Sequence, residues 1–126
     1  MPRLLIVDDE PDVCGFSSVF FRKRGIDVFS VGSGTQALEI LKAEVFDLIL
    51  LDIRMKDMSG VDVLREIRQR RLFTPVIILS GVDNDEITKE LNVLGVSAFL
   101  RKPVALEELE KTVLAQIADS VQYDQD

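Results

Sequence analysis

The sequence predicts an α/β fold: a doubly wound, five-stranded parallel sheet in the order 2-1-3-4-5, covered on both faces as a three-layer sandwich. Three observations carry this. Short apolar runs near residues 3–7, 26–30, 47–51, 75–79 and 97–100 alternate with amphipathic segments. Three of these runs are continuously apolar, as strands covered by helices on both faces must be. The run Ile26-Asp27-Val28-Phe29-Ser30 is mixed and suits an edge. Short connections and right-handed crossovers then place helices on both faces.

The elements follow in order. The first run, Leu4-Leu5-Ile6-Val7, stops at Asp8-Asp9. A helix is expected from Pro11, whose missing N–H costs nothing at a first helical position. It closes on Arg22-Lys23-Arg24-Gly25, cations at the negative helix end followed by a glycine free to take positive φ. The second helix opens on Ser33-Gly34-Thr35-Gln36, a capping-box pattern. Leu48-Ile49-Leu50-Leu51 ends on Asp52 and is the most apolar run, hence the central strand. The third helix is expected from about Ser59 to Arg70 with Val61, Leu64 and Ile67 on one face. Val76-Ile77-Ile78-Leu79 ends on Ser80. The fourth helix is expected to open near Asp83, with Glu86 three residues on, and to bury Ile87, Leu91 and Leu94. Ala98-Phe99-Leu100 leads into Arg101-Lys102-Pro103, and the last helix shows a stripe of Leu106, Leu109, Val113 and Ile117. One domain over residues 1–120 is expected, with 121–126 as a polar tail or the start of a linker. The polar character begins at Asp119, from which fraying is expected.

Composition narrows the function classes. A net charge of -7 argues against direct nucleic-acid binding by this domain. Cys14 is the single cysteine, so no internal disulfide forms, and it reads as a small packing residue. The amino-terminal apolar run is too short for a signal peptide, and no stretch approaches the ~18 residues a membrane helix needs. A cytoplasmic protein without a membrane partner is expected.

Parallel strands put Asp8-Asp9, Asp52, Ser80 and Lys102 on one rim, where open α/β sheets bind ligands. Three gathered carboxylates disfavour joint ionisation, and a bound cation removes that cost. Mg²⁺ suits such hard oxygen donors. Asp52, held at the end of the central strand, is the best nucleophile and could form an acyl phosphate. Phosphoryl transfer then needs its equatorial charge neutralised, by the metal, by Lys102, and by Ser80 with nearby backbone N–H groups.

Asp8-Asp9, Asp52, Ser80 and Lys102-Pro103, in this order and spacing, resemble the receiver domain of two-component response regulators, a flavodoxin-like fold. The stretch Leu51-Asp52-Ile53-Arg54-Met55 with Gly60 beyond it, and Gly95 leading into Ala98-Phe99-Leu100-Arg101-Lys102-Pro103, extend the resemblance over about residues 3–118. The resemblance implies that Asp52 is the phospho-acceptor and that Asp9, helped by Asp8, forms the metal pair with the Arg54 backbone carbonyl as a further Mg²⁺ ligand. It implies that Lys102 pairs with the phosphate, that the Lys102–Pro103 peptide is cis, and that Ser80 and Phe99 are the switch hydroxyl and switch aromatic. The phosphorylated state would repack the surface of the fourth helix, fifth strand and fifth helix. The chain contains no His, so the phosphoryl donor is a sensor histidine kinase, a phosphotransfer protein or a small phosphodonor. An output domain or a phosphorylation-dependent homodimer would complete the pathway.

Two departures stand out. Lys56 occupies a position where the family usually has proline, and Ser80 replaces the more frequent threonine. Arg54 and Val82 are expected at the mouth of the site. The group Arg65, Arg68, Arg70 and Arg71 suits the end of its helix. Phe16 and Phe20 are expected in the core, and Ser17 and Val19 are expected on the exposed face of the first helix. The resemblance casts the chain as no enzyme beyond its own phosphorylation and slow dephosphorylation. A haloacid-dehalogenase-type phosphatase would want a second Asp two residues after Asp52, where Arg54 stands and cannot donate a proton at neutral pH. A flavin or nucleotide module would want a phosphate loop after the first strand, where Asp8-Asp9-Glu10 repels phosphate. A receiver fold used only for interaction is the remaining alternative.

Overall fold

The strands of the computed structural model run β1 (Arg3–Val7), β2 (Asp27–Val31), β3 (Leu48–Asp52), β4 (Val76–Ser80) and β5 (Ala98–Arg101). Between and after them lie α1 (Pro11–Arg22), α2 (Gly34–Ala43), α3 (Gly60–Gln69), α4 (Asp85–Leu94) and α5 (Leu106–Asp124). Residues 1–81 and 84–124 are described, with side chains described except at 11–16 and 119–124. The sheet is parallel throughout, in the order β2-β1-β3-β4-β5. The mixed second run forms an edge, as its composition requires, and β3 is buried at every position.

Alternation along the strands divides the core in two. Leu4, Ile6, Leu48, Leu50, Ile77, Leu79 and Leu100 pack with Phe21 of α1 and Leu109, Val113 and Ile117 of α5. Leu5, Val7, Ile49, Leu51, Val76 and Ile78 face Ala37 of α2, Val61, Leu64 and Ile67 of α3, and Leu91 of α4. Burying one such side chain contributes roughly 1.5–3 kcal/mol. Ile87 and Leu94 are only half-buried against the same core.

The helix ends follow local chemistry. Gly25 takes φ 81 and lets the Ile26 N–H reach the Phe21 carbonyl at 3.3 Å. Ser33 caps α2 by accepting from the Gln36 N–H at 3.1 Å, while the Gln36 amide oxygen reaches the Gly32 N–H, one residue earlier than a standard capping box. α4 opens at Asp85 under an Asn84 cap that accepts from the Glu86 and Ile87 N–H groups. This corrects the expected start near Asp83, which lies outside the described residues. α5 continues to Asp124, past the Asp119 at which a polar tail was expected. Ser17 is buried, not exposed, because it shares the inward stripe of α1 with Phe20 and Phe21, while Val19 is 53% exposed as expected. Phe20 packs edge-on against Phe21. The side chains of Cys14 and Phe16 lie outside the described residues.

The arginines of α3 are committed internally. Arg65 pairs with Asp62 and with Glu90 of α4, and Arg70 with Glu66 and the Leu38 carbonyl. Arg68 donates to the carbonyls of Leu72, Thr74, Leu94 and Gly95 at 2.7–3.1 Å, closing the ends of α3 and α4 on one guanidinium. Burial pushes that guanidinium below its ordinary value.

Candidate functional site

Alternation selects which rim residues meet. Leu48, Leu50 and Asp52 lie on the α1/α5 face of the sheet, and Leu4, Ile6 and Asp8 continue the same parity on β1. Asp8 and Asp52 are 2% and 4% exposed. Lys102 follows Leu100 in the same register, and its ammonium reaches Asp52 Oδ2 at 3.1 Å, Asp8 Oδ2 at 3.3 Å and Glu10 Oε1 at 3.7 Å. The Lys102–Pro103 peptide is cis, as expected. The Lys102 N–H donates to the Ser80 carbonyl at 2.8 Å, which anchors the lysine to the end of β4.

Each buried carboxylate is also held by backbone. Asp8 Oδ1 accepts from the Glu10 N–H at 2.9 Å, and Asp52 Oδ1 accepts from the Arg54 N–H at a longer 3.3 Å. Burial pushes the Asp52 carboxyl above its ordinary range. Lys102 pulls it back, the Asp8 charge adds to the rise, and the Arg54 N–H opposes it. For Lys102, burial acts downward, but the Asp52 and Asp8 carboxylates outweigh it and hold the ammonium above its ordinary value.

The carboxylates that gather are Asp8, Glu10 and Asp52, with ligand oxygens all within 4.8 Å of one another. Glu10 was not among the expected residues, although the alternation from Asp8 points to it. Asp9 falls on the opposite parity. It lines a neighbouring cleft of about 630 Å³ with Ile53, Arg54, Met55, Lys56, Ser59, Asn84 and Ile87. Arg54 therefore does stand at an opening beside the rim, while Val82 lies outside the described residues. The three gathered carboxylates offer hard oxygen donors to a divalent cation, and two of them are nearly shut off from water, so the donor set fits Mg²⁺.

Ser80 ends β4 and is 1% exposed. Its pairing partner on β5 is Arg101, and Ile78 pairs with Phe99. Ser80 and Phe99 thus share the sheet face opposite the Asp8–Asp52–Lys102 cluster and are diagonal neighbours. Phe99 is 37% exposed.

Crowding fixes the chain behind β3. A Cβ on Gly60 would stand 2.3 Å from the Asp52 carbonyl oxygen and 2.9 Å from Ile53 Cα, so α3 starts against this backbone only because residue 60 is glycine. The Gly60 N–H closes the loop by donating to the Ile53 carbonyl at 2.8 Å.

The family model of the response regulator receiver domain matches residues 4–114. The chain belongs to this family. Among its relatives, the transcriptional regulatory protein ZraR of Escherichia coli K12 is 33% identical over 121 residues. That alignment covers 96% of the receiver chain and 27% of ZraR, so the chain spans about a quarter of that relative's length. A CheY-like receiver domain protein from Methanospirillum hungatei superposes with a TM-score of 0.91 at 24% identity, covering 98% of each chain. This likeness concerns the receiver fold alone. The response regulator protein TrrA of Thermotoga maritima, solved in complex with Mg²⁺-BeF, superposes with a TM-score of 0.79 at 27% identity, covering 92% of this chain and 99% of that one. Among the described residues of this receiver, no helix is long and apolar enough to cross a membrane.

Proposed function

We propose that this receiver accepts a phosphoryl group on Asp52 and passes on the resulting change of charge as a change of surface. One observation carries the reading: a carboxylate 4% exposed at the end of the central strand, with an ammonium 3.1 Å away and a second buried carboxylate on the same ammonium. An ion pair placed for structure alone would not crowd further carboxylates, Asp8 and Glu10, around one lysine.

Mg²⁺ would be held by Asp8, Asp9, Asp52 and the backbone carbonyl of Arg54, with Glu10 close enough to contribute. When bound, it neutralises charge on the carboxylates and on the incoming phosphoryl oxygens. The presence of Mg²⁺-BeF in TrrA supports this assignment. The chain's own part is as follows. A carboxylate oxygen of Asp52 attacks phosphorus as the phosphorus–nitrogen bond of a phosphohistidine breaks, and the histidine leaves with the electron pair. Lys102 pairs with one phosphoryl oxygen; the Ser80 hydroxyl, at the same rim but on the other face of the sheet, turns over the rim to meet another, at the moment charge on them is greatest. Because the chain has no His, the donor is a sensor histidine kinase, a phosphotransfer protein or a small phosphodonor. The chain then acts on no substrate but itself, phosphorylating and slowly dephosphorylating Asp52.

The switch follows from the shared face of Ser80 and Phe99. Ser80 is drawn toward the phosphoryl group, and the half-exposed Phe99 ring moves into the space beside it. A phenylalanine ring can do so without stranding a polar atom. The repacked α4–β5–α5 surface would serve an output domain or a second copy of the chain. ZraR extends well beyond the matched region, consistent with an output domain in that protein. We take residues 1–120 as the receiver unit and 121–126 as a polar tail or the start of a linker, in a cytoplasmic protein.

The test is intact-mass spectrometry after treatment with acetyl phosphate and Mg²⁺. The wild type gains one phosphoryl mass and Asp52→Asn gains none. A label that survives Asp52→Asn refutes the assignment. Sustained turnover of para-nitrophenyl phosphate would replace it with a phosphatase.

A further inference from the structure

The loop of residues 53–59 carries Arg54, whose N–H touches Asp52. Its two ends are set by the strand and by the crowding at Gly60, but its middle reaches outward to a different helix. Asp57 Oδ1 accepts from the Gly34 N–H at 3.1 Å, and Asp57 Oδ2 accepts from the Thr35 N–H at 2.9 Å and the Thr35 hydroxyl at 2.6 Å. The next residue is seated on the same helix end: a Cβ at Gly34 would stand 2.3 Å from Met58 Cγ and 2.7 Å from Val63 Cγ2.

This is more than a cap for α2. Ser33 already supplies the local cap through Gln36. Asp57 instead satisfies the two N–H groups before Gln36 from more than twenty residues away, where a carboxylate also meets the positive end of the helix. The consequence runs in the other direction as well. A loop with an exposed lysine at its centre is fastened at the residue immediately after that lysine.

We propose that Asp57 is a positioning residue for the acceptor site: by tying the 53–59 loop to the amino terminus of α2, it fixes where Arg54 presents its backbone to Asp52 and to the metal. The metal half of this statement rests on the Mg²⁺ reading above; the Arg54 N–H contact with Asp52 does not.

The experiment compares wild type, Asp57→Ala, Asp57→Asn and Thr35→Val in the full chain. Three readings are taken: amide hydrogen exchange of residues 53–59 without metal, the Mg²⁺ dissociation constant by titration calorimetry, and the urea midpoint. Asp57→Ala is expected to speed exchange across 53–59 and to raise the Mg²⁺ dissociation constant by about 10-fold, the low end of the effect of losing outer-shell support. Asp57→Asn keeps one acceptor oxygen and falls between. Thr35→Val removes only the hydroxyl bond, gives a smaller rise, and adds nothing to Asp57→Ala when combined with it. If Asp57→Ala lowers the urea midpoint yet leaves loop exchange and Mg²⁺ affinity at wild-type values, Asp57 merely caps α2 and the proposal is overturned. A wild-type chain that takes up no Mg²⁺ would sink the metal reading and the metal half with it. Loop exchange, measured without metal, still decides whether Asp57 holds the loop.

Discussion

Replacing Lys102 with methionine should weaken the fold, tighten Mg²⁺ binding and slow phosphorylation, three effects that a simple packing defect cannot produce together. The ammonium lies 3.1 Å from Asp52 and 3.3 Å from Asp8. At an effective dielectric constant of about 20, each such contact is worth roughly 5 kcal/mol before the cost of taking the ions from water. Breaking a fully buried pair from one side costs about 3–5 kcal/mol. The Lys102 side chain keeps 24% of its surface exposed, so water screens part of the loss. The expected destabilisation of metal-free Lys102→Met is then about 2–3 kcal/mol. Methionine keeps most of the stem, so little of this comes from packing.

Losing the ammonium also leaves Asp8, Glu10 and Asp52 with no lysine among them. A divalent cation competes with no resident charge, and the Mg²⁺ dissociation constant should fall by about tenfold, or ~1.4 kcal/mol. Excess Mg²⁺ should therefore recover part of the lost stability, because a ligand bound only by the native state stabilises it in proportion to its affinity. Phosphorylation moves the other way. With no cation to meet a phosphoryl oxygen, acyl phosphate formation should slow by about 100-fold, the lower end for one charge-stabilising donor. The assays are urea unfolding with and without Mg²⁺, calorimetric titration of Mg²⁺, and intact-mass labelling. A variant that loses Mg²⁺ affinity and labelling in parallel would show that Lys102 only props up the carboxylates, and the assigned role would fall.

Further outcomes follow from single contacts. Gly60→Ala forces a Cβ to within 2.3 Å of the Asp52 carbonyl oxygen, which is backbone and cannot swing aside; a loss of about 1–3 kcal/mol is expected, and an unchanged urea midpoint would contradict the crowding. Arg68→Ala strips four carbonyls of one shared donor and should cost about 2–4 kcal/mol, with Arg68→Lys rescuing little because an ammonium lacks the planar fork; circular dichroism melts check both. Asp57 is held below its ordinary carboxylate range by the Thr35 hydroxyl and the N–H groups of α2, against an unfolded value of 3.8. A depressed folded value adds stability above the unfolded one and loses it as pH falls. The stability gap between wild type and Asp57→Asn should therefore hold at neutral pH and shrink as pH drops below 3.8; a gap that is flat with pH removes the charge from the account. Asp52 has the opposite sign. Burial raises it, so its ionised form weighs against folding above its titration, and Asp52→Asn, which leaves Lys102 its Asp8 partner, should lower the metal-free urea midpoint less than Lys102→Met does; an equal loss would contradict this.

How much of this was legible in the sequence depended on whether a residue's place followed from a short-range rule. Strand ends were legible because apolar runs stop abruptly at Asp8, Asp52, Ser80 and Arg101, just before Lys102, and parallel strands carry all four ends to one rim. The edge position of β2 was legible because a strand paired on one side only tolerates polar residues such as Asp27 and the exposed Ser30. Helix α4 was misplaced slightly because Asp83 and Asn84 are equally good caps on paper. Ser17 was misread because its polarity outweighed its spacing from Phe20 and Phe21, although its inward position on α1 was readable from that spacing. Asp57 gave no sign at all. Its partners are Gly34 and Thr35, and nothing local to an aspartate reveals a helix end brought to it by a crossover.

The acidic cluster shows where residue-type reasoning stops and geometry begins. Asp8 and Asp9 are identical in chemistry and adjacent in sequence, so a motif treats them as a pair. The sheet does not, because its period of two sends neighbours to opposite sides. Asp8 goes with Leu4 and Ile6 toward Asp52 and Lys102, Glu10 follows it, and Asp9 turns to the cleft shared with Arg54. If Asp9 does join a metal with Asp52, it approaches from the Arg54 side while Asp8 approaches from the Lys102 side, so the two should respond differently to mutation. Asp8→Asn removes a buried partner of Lys102 and should lower metal-free stability by about 1–3 kcal/mol as well as Mg²⁺ affinity. Asp9→Asn, whose carboxylate is not part of the lysine cluster, should lower Mg²⁺ affinity with the urea midpoint nearly unchanged. Equal losses of stability from both would mean that the alternation does not separate them, and the two-sided site would have to be abandoned.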